Sequence, residues 1–480
     1  MNRRLFRPSS RARSVAAAAL VITALTPLLA SCTGDDIKGK PGAAGVGDPL
    51  FPKLGNGGFD VRHYDLGLDY EVRGGRLDAT ALLTAKAKQN LSAFNLDLRG
   101  LKVRGVSVDG EDAEFSRKGD QLTVRPSKVV PKGDEFRTKV TYGGKPKRMT
   151  DADDSVEGWV RTDDGAVVTG EPAGAMTWFP GSNHPGDKAT YDIRITVPKG
   201  YTAVSNGELV GERTAKGRTT YDWHSGEPMA SYLTTATIGK FNVSRYTTES
   251  GLPVYVAVDP REAKSSAKSL GKLEEMLDWE TKLFGPYPFS STGAIVDHGA
   301  GGVDYALEIQ TKPFFPDEID DVTLLHEMSH QWFGDSVTPK SWRDTWLNEG
   351  FATYAEWLWD EQHDGKSAQD RFDAAYGTGK GADKNGDDEE TWEFPPGDPG
   401  KAANITGTPV YTRGAMVLHQ LRLAVGDDTF FKILKDWPAE YRHGNANSAD
   451  FIGFCERRTD EDLTELFDDW LYGKGRPAGY

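Results

Sequence analysis

Residues 326–349 read HEMSHQWFGDSVTPKSWRDTWLNE, and their spacing decides how the rest of the chain is read. His326 and His330 stand four apart, so on a helix they share one face, a turn from each other. Glu327 follows the first histidine and points to the same side. Eighteen residues separate His330 from Glu349, which is placed to close a three-ligand set. Two imidazoles and a carboxylate, with a fourth tetrahedral position open to water, form the pattern of a catalytic rather than a structural zinc site. Val322, Leu325, Trp332 and Phe333 accompany the histidines, so this helix is expected to be largely buried, and buried imidazoles need partners. LNEGFATYAEWLW at 347–359 reads as a second buried helix, where an unpaired Glu349 is costly. The fitting chemistry is zinc-assisted hydrolysis, with peptides the expected substrate. Glu327 is suited to take a proton from water and later deliver it to a leaving amine.

The chain has 480 residues, 38% hydrophobic and 27% charged, enough for two or three domains. Its net charge of −15 disfavours nucleic acid as a partner. Residues 1–32 resemble a signal peptide: five arginines, then the apolar run Val15–Leu25 and Pro27. Leu29-Ala30-Ser31-Cys32 resembles a lipobox, which makes Cys32 the expected lipidation site and the outer face of the cell membrane the expected location. If the lipobox is not used, the product is secreted. The stretch 33–57 is rich in Gly, Pro and Asp and reads as a flexible tether. Cys455 is the one remaining cysteine and reads as a buried structural thiol.

From 58 to 245 apolar and polar residues alternate in segments such as YDLGLDYEV and RLDATALLTAKA, which predicts a β domain of sandwich or saddle shape. From 246 to 480 a strand pair at 246–258 and a strand at 291–297 accompany mostly helical patterns. These include 262–285, the two segments above, and helices near 412–425, 427–437, 448–458 and 462–472. Residues 377–402 are Gly-, Asp- and Pro-rich and read as a surface loop bordering the cleft. The fold class is therefore α+β, a β domain followed by a mainly helical catalytic domain.

At this point the chain resembles a known family, the gluzincin aminopeptidases of the aminopeptidase N and leukotriene hydrolase type. Their signature is HExxH, eighteen residues, then a glutamate within NEGFA, which stands here at Asn348–Ala352. GFDVRHYDLGLDY (58–70), EPAGAMTWFPGSNHPGDKATYDI (171–193), EPMASYL (227–233) and YTRGAMVLHQLR (411–422) are similar to further blocks. The resemblance implies a thermolysin-like catalytic domain, one zinc ion, and action on peptides with a free N-terminus; a monomer is expected because no coiled-coil pattern or obvious pairing surface appears. It implies that Tyr411, in Tyr-Thr-Arg-Gly, stabilises an oxyanion; Arg413 beside it is a candidate to pair with a nearby acid, its role left open. Glu308, in Tyr-Ala-Leu-Glu-Ile, and Glu171, in Glu-Pro-x-x-Ala, take the places of the residues that grip the substrate α-ammonium. Ile309 and Met176 depart from the family pattern at an asparagine and an arginine. A helical C-terminal domain found in larger members is expected to be missing, which leaves a more open cleft.

Thr353 and Glu356 are candidates to support the zinc histidines from behind. Two other functions remain on this reading. One is a zinc endopeptidase with thermolysin-like chemistry, which the open cleft favours. The other is a peptide-binding lipoprotein on a weakened enzyme scaffold, which Ile309 and Met176 favour.

Overall fold

The computed structural model describes residues 38–363, 365–378 and 387–478. The signal-like segment 1–32, including Cys32, lies outside the described residues. The chain forms a β-rich amino-terminal half and a mainly helical carboxy-terminal half, the α+β order expected.

Burial alternates along Phe59–Glu71 and Arg76–Ala87, as one-sided strands require. These two pair antiparallel at the centre of an eight-stranded sheet. Phe59–Glu71 also pairs in parallel with Lys188–Pro198, so the sheet is mixed. Stacked rings of Tyr64 and Tyr191, 4.9 Å apart, lie in the core beneath it with Trp159 and Trp178. A five-stranded sheet includes Arg148–Thr150, Val156–Arg161 and Ala166–Thr169, and the turn between the first two of these strands carries Asp151 and Asp153.

The second half begins with a four-stranded sheet of Asn242–Thr247, Pro253–Val258, Thr292–Val296 and Phe314–Phe315. Helices Leu273–Phe284, Asp321–Ser329, Trp346–Gln362 and Gly414–Val425 follow around a second aromatic core. Asp320 caps the HExxH helix, its side chain accepting from the Val322 and Thr323 amides. The NEGFA helix, Trp346–Gln362, crosses Gly414–Val425 at a point of backbone contact. A Cβ on Gly350 would stand 2.8 Å from the carbonyl carbon of Gly414, so only glycine lets these helices meet. Cys455 is fully buried, and burial pushes its thiol far up, as an inert core residue.

Two expectations are corrected. The stretch 38–57 is not a loose tether but part of the folded body. Lys40–Pro41 pairs with Leu91 and Ala93, and the buried carboxylate of Asp48 accepts from Leu50, Phe51 and Trp342 amides and from Ser341 Oγ. Burial would raise Asp48, but His184 and these donors hold it well below the usual carboxylate range. Composition hid this latch, because one buried aspartate fixes a Gly- and Pro-rich segment that lacks apolar periodicity. The HExxH helix is largely buried as expected, while Val322, 48% exposed, lines the cleft. In the stretch 377–402, residues 379–386 lie outside the described ones, while Trp392 and Phe394 pack into the helical core. Its described residues do not line the cleft, whereas Thr406 just beyond it does.

Candidate active site

One face of the HExxH helix and the first turn of the NEGFA helix meet at the base of a cleft of about 500 Å³. His326, His330 and Glu349 offer ligand atoms that all lie within 4.8 Å of one another. Nε2 of His326 stands 3.2 Å from Glu349 Oε2, and Nε2 of His330 stands 3.3 Å from the same oxygen.

The tautomers follow from the partners on the far side of each ring. Nδ1 of His326 faces Glu356 Oε1 at 2.6 Å, and Nδ1 of His330 faces the Phe333 carbonyl at 3.0 Å. Both partners only accept, so both Nδ1 atoms carry the hydrogen. Each Nε2 faces Glu349; the carboxylates beside the two rings outweigh burial and raise both imidazoles, so each Nε2 carries a hydrogen to Glu349 that a metal ion would replace. Ligands about 2.0–2.1 Å from a tetrahedral zinc are about 3.3 Å apart, so the two observed separations fit that ion. Burial would raise Glu349, but the two imidazoles hold its carboxyl at about 2, ready to ligate as the anion.

Glu356 supports His326, a role the sequence left open between it and Thr353. Glu356 lies two turns after Glu349 on the same helix, so one helix supplies both a ligand and the support of another.

The remaining candidates reach the same cleft. Glu327 is 6% exposed and its Oε2 has no hydrogen-bond partner among the described residues. Burial, eased by the two imidazoles, pushes its carboxyl up to about 8. Glu308 is 2% exposed with Oε1 unpartnered, and burial raises it too. Glu171 is less covered, yet its Oε1 is buried and unpartnered. Oxygen atoms of Glu171, Glu308 and Glu349 lie within 4.8 Å of one another, and burial and this crowding raise Glu171 well above the carboxylate range. Tyr411 sits in a π-helical turn, Pro409–Arg413, with its ring 6.1 Å from that of His326 at 21°. Burial and then the surrounding carboxylates keep its phenol protonated, hence a donor.

Arg413 does not pair with an acid. Its fully buried guanidinium donates to the carbonyls of Asp469, Trp470 and Gly473 and lies over the ring of Trp392. The end of helix Thr464–Trp470 leaves carbonyls without intrahelical partners, and Arg413 serves them. Sequence reading also passed over Gln331, whose side chain reaches from beside His330 to the Glu308 turn, and Asp151, Asp153 and Asp304 on the cleft rim. The acidic run at 151–154 was the available signal for the rim.

Residues 61–233 match the Peptidase M1 N-terminal domain, and residues 317–470 match the Peptidase family M1 domain. The chain belongs to peptidase family M1. Solved relatives include an M1 zinc metallopeptidase from Deinococcus radiodurans, 26% identical with a TM-score of 0.81, covering 91% of this chain and 100% of that one. A variant of that enzyme was solved with a Tyr-Ser-Ala substrate, at the same identity and TM-score, covering 90% of this chain and 99% of that one. The leucyl aminopeptidase of Saccharolobus solfataricus is 24% identical over 446 residues, which is 87% of this M1 chain and 54% of the relative. Aminopeptidase M1 of Arabidopsis thaliana is 26% identical over 338 residues, 65% of this chain and 37% of the relative. The chain thus spans about half the length, or less, of these curated relatives.

Proposed function

We propose that this M1 chain is a zinc aminopeptidase that releases the N-terminal residue of peptides. The observation that carries the reading is the pair of unpartnered carboxylate oxygens, on Glu308 and Glu171, at the same cleft as the His326–His330–Glu349 triad. Two buried acceptors without donors are costly unless a ligand brings the donors. An α-ammonium carries three, and an acylated or internal peptide nitrogen carries no such charge.

The residues divide the work as follows. His326, His330 and Glu349 hold one zinc ion, and Glu356 fixes the His326 ring. Zinc, when bound, supplies Lewis acidity and a nucleophilic water near neutral pH. Glu327 takes the proton at its free Oε2 and returns it to the leaving amine. The Tyr411 hydroxyl donates to the oxygen that gains charge in the transition state. Glu308 and Glu171 seat the ammonium and thereby set where the chain is cut.

The reading extends to location. The Leu29-Ala30-Ser31-Cys32 motif and the preceding apolar run support an exported monomer anchored to the outer face of the membrane through a lipid on Cys32.

The test is hydrolysis of free-amine peptides and their N-acetylated counterparts by zinc-loaded protein and by Glu308→Ala. Cleavage of free-amine peptides alone, lost in the variant, is expected. Equal cleavage of both kinds, untouched by the substitution, would make the enzyme an endopeptidase.

A further inference from the structure

A second group of carboxylates converges away from the cleft, between the two halves of the chain. Strands Pro253–Val258 and Thr292–Val296 run parallel, with Val258 paired to Val296. That register sets the next residues, Asp259 and Asp297, side by side at the carboxyl ends of the two strands. Asp164 reaches them from the first half, from the turn between Val156–Arg161 and Ala166–Thr169. Carboxylate oxygens of Asp164, Asp259 and Asp297 all lie within 4.8 Å of one another.

Two of the three hold an unused acceptor. Asp297 is 1% exposed; its Oδ1 accepts the His298 amide at 2.9 Å, and its Oδ2 has no partner. Oδ2 of Asp164 accepts the Lys240 amide at 2.9 Å, while its buried Oδ1 has none. Asp259, also buried, is held by Arg261, which pairs with the exposed Asp163 as well. Among the described residues no cation pairs with Asp164 or Asp297. One guanidinium shared between two acids leaves most of the charge of the trio unmet, and buried charge of one sign is costly. The neighbouring Glu262, His298 and Asp317 differ, since they are paired with one another through His298.

We infer that Asp164, Asp259 and Asp297 bind a calcium ion that clamps the first half of the chain to the strand ends of the second. The donor set is oxygen alone, which suits a hard cation rather than zinc. Calcium holds oxygens at about 2.3–2.6 Å, so two on opposite sides of the ion stand about 5 Å apart. Three oxygens within 4.8 Å of one another fit around one such ion. Calcium also accepts irregular geometry from three separate segments, where magnesium demands a near-ideal octahedron. Asp164 is partly exposed, which leaves a side open for water to complete the shell. Strand Val156–Arg161 runs from this site to the turn of Asp151 and Asp153 at the cleft, so the ion steadies that wall from its far end. Without the ion the three acids repel one another, and calcium-free protein is the reference for the stability effect of any one of them.

Equilibrium dialysis of zinc-loaded protein against calcium chloride tests this, with both metals counted by atomic emission, beside Asp164→Asn and Asp297→Asn. Wild type is expected to take up one calcium per chain with a Kd on the order of 10⁻⁴ M. Its Tm is expected to rise by roughly 3–5 °C in about 10 mM calcium. Each variant is expected to lose about tenfold or more in calcium affinity and most of that rise, with zinc content and peptide hydrolysis near wild type. Asp164→Asn, on a partly exposed turn, reports on the site even where Asp297→Asn folds poorly. No calcium uptake by wild type, uptake that both variants leave unchanged, or a preference for magnesium at equal concentration would overturn the clamp. Each of these outcomes leaves the aminopeptidase reading standing.

Discussion

Gln331 holds the turn that carries Glu308. Its Nε2 donates to the Glu308 carbonyl at 3.3 Å, and its Oε1 accepts from the Thr311 amide at 2.7 Å. Thr311 has a φ of +67°, a left-handed conformation that a β-branched residue adopts only under restraint. The residue next to His330 therefore sets the distance between the proposed metal site and the proposed seat of the ammonium. Gln331→Leu keeps the size and removes both bonds. Zinc content is expected to be unchanged while KM for free-amine peptides rises about tenfold, since a shift of about 1 Å in a positioning group is costly. An unchanged KM would show that the turn holds itself.

Tyr411 is aimed at the cleft as a protonated donor, with no part in holding the metal. Tyr411→Phe is expected to lower kcat by about 10²–10³-fold and to leave KM and zinc content near wild type. A drop confined to KM would assign the hydroxyl to substrate binding instead.

Glu356 supports His326 at 2.6 Å. Glu356→Ala removes that acceptor and frees the ring. Zinc affinity is expected to fall about 10–100-fold, measured by competition with a chelator, and added zinc should restore most of the activity. Affinity equal to wild type would mean that packing alone orients the ring.

Asp297 gives a pH effect far from the metal. It is 1% exposed, its Oδ1 accepts the His298 amide, and its Oδ2 is unpartnered. Burial, with Asp164 and Asp259 adding to it, pushes its carboxyl up to about 7. An unfolded aspartate titrates near 3.9, so between about pH 4 and 7 the folded state binds the extra proton. Stability from this group is present below that window, declines as pH rises through it, and is lost above. Asp297→Asn keeps the shape without the charge. It is expected to be more stable than wild type by about 2 kcal/mol near pH 8 and nearly equal near pH 4, measured by urea unfolding. A constant difference at both pH values would place the effect elsewhere.

That His326, His330 and Glu349 would meet was legible because their spacing on two helices is written in sequence distance, and strand alternation before residue 245 showed which half is β. What could not be read depends on contacts between remote segments. Gln331 and Glu308 are twenty-three positions apart, and nothing in either segment announces the bond. Arg413 was expected to find an acid because charge suggests charge, yet the fold gave it carbonyls at a helix end. Val322 was counted toward a largely buried helix, although its own position turns it into the cleft. Asp48 looked like linker composition because its partners, Ser341 and Trp342, lie almost three hundred residues away.

Under the proposed attachment at Cys32, the fixing of Asp48 would also limit how far the enzyme can travel. The folded body takes hold of the chain by Lys40, and a protein attached at Cys32 has six peptide steps to Lys38. Drawn out straight, those span at most about 22 Å. A molecule so attached is moored at its surface rather than free on a long line. So attached, it could swivel but could not go out to meet peptides, and turnover at low concentration would depend on how quickly they diffuse to the mouth of the cleft.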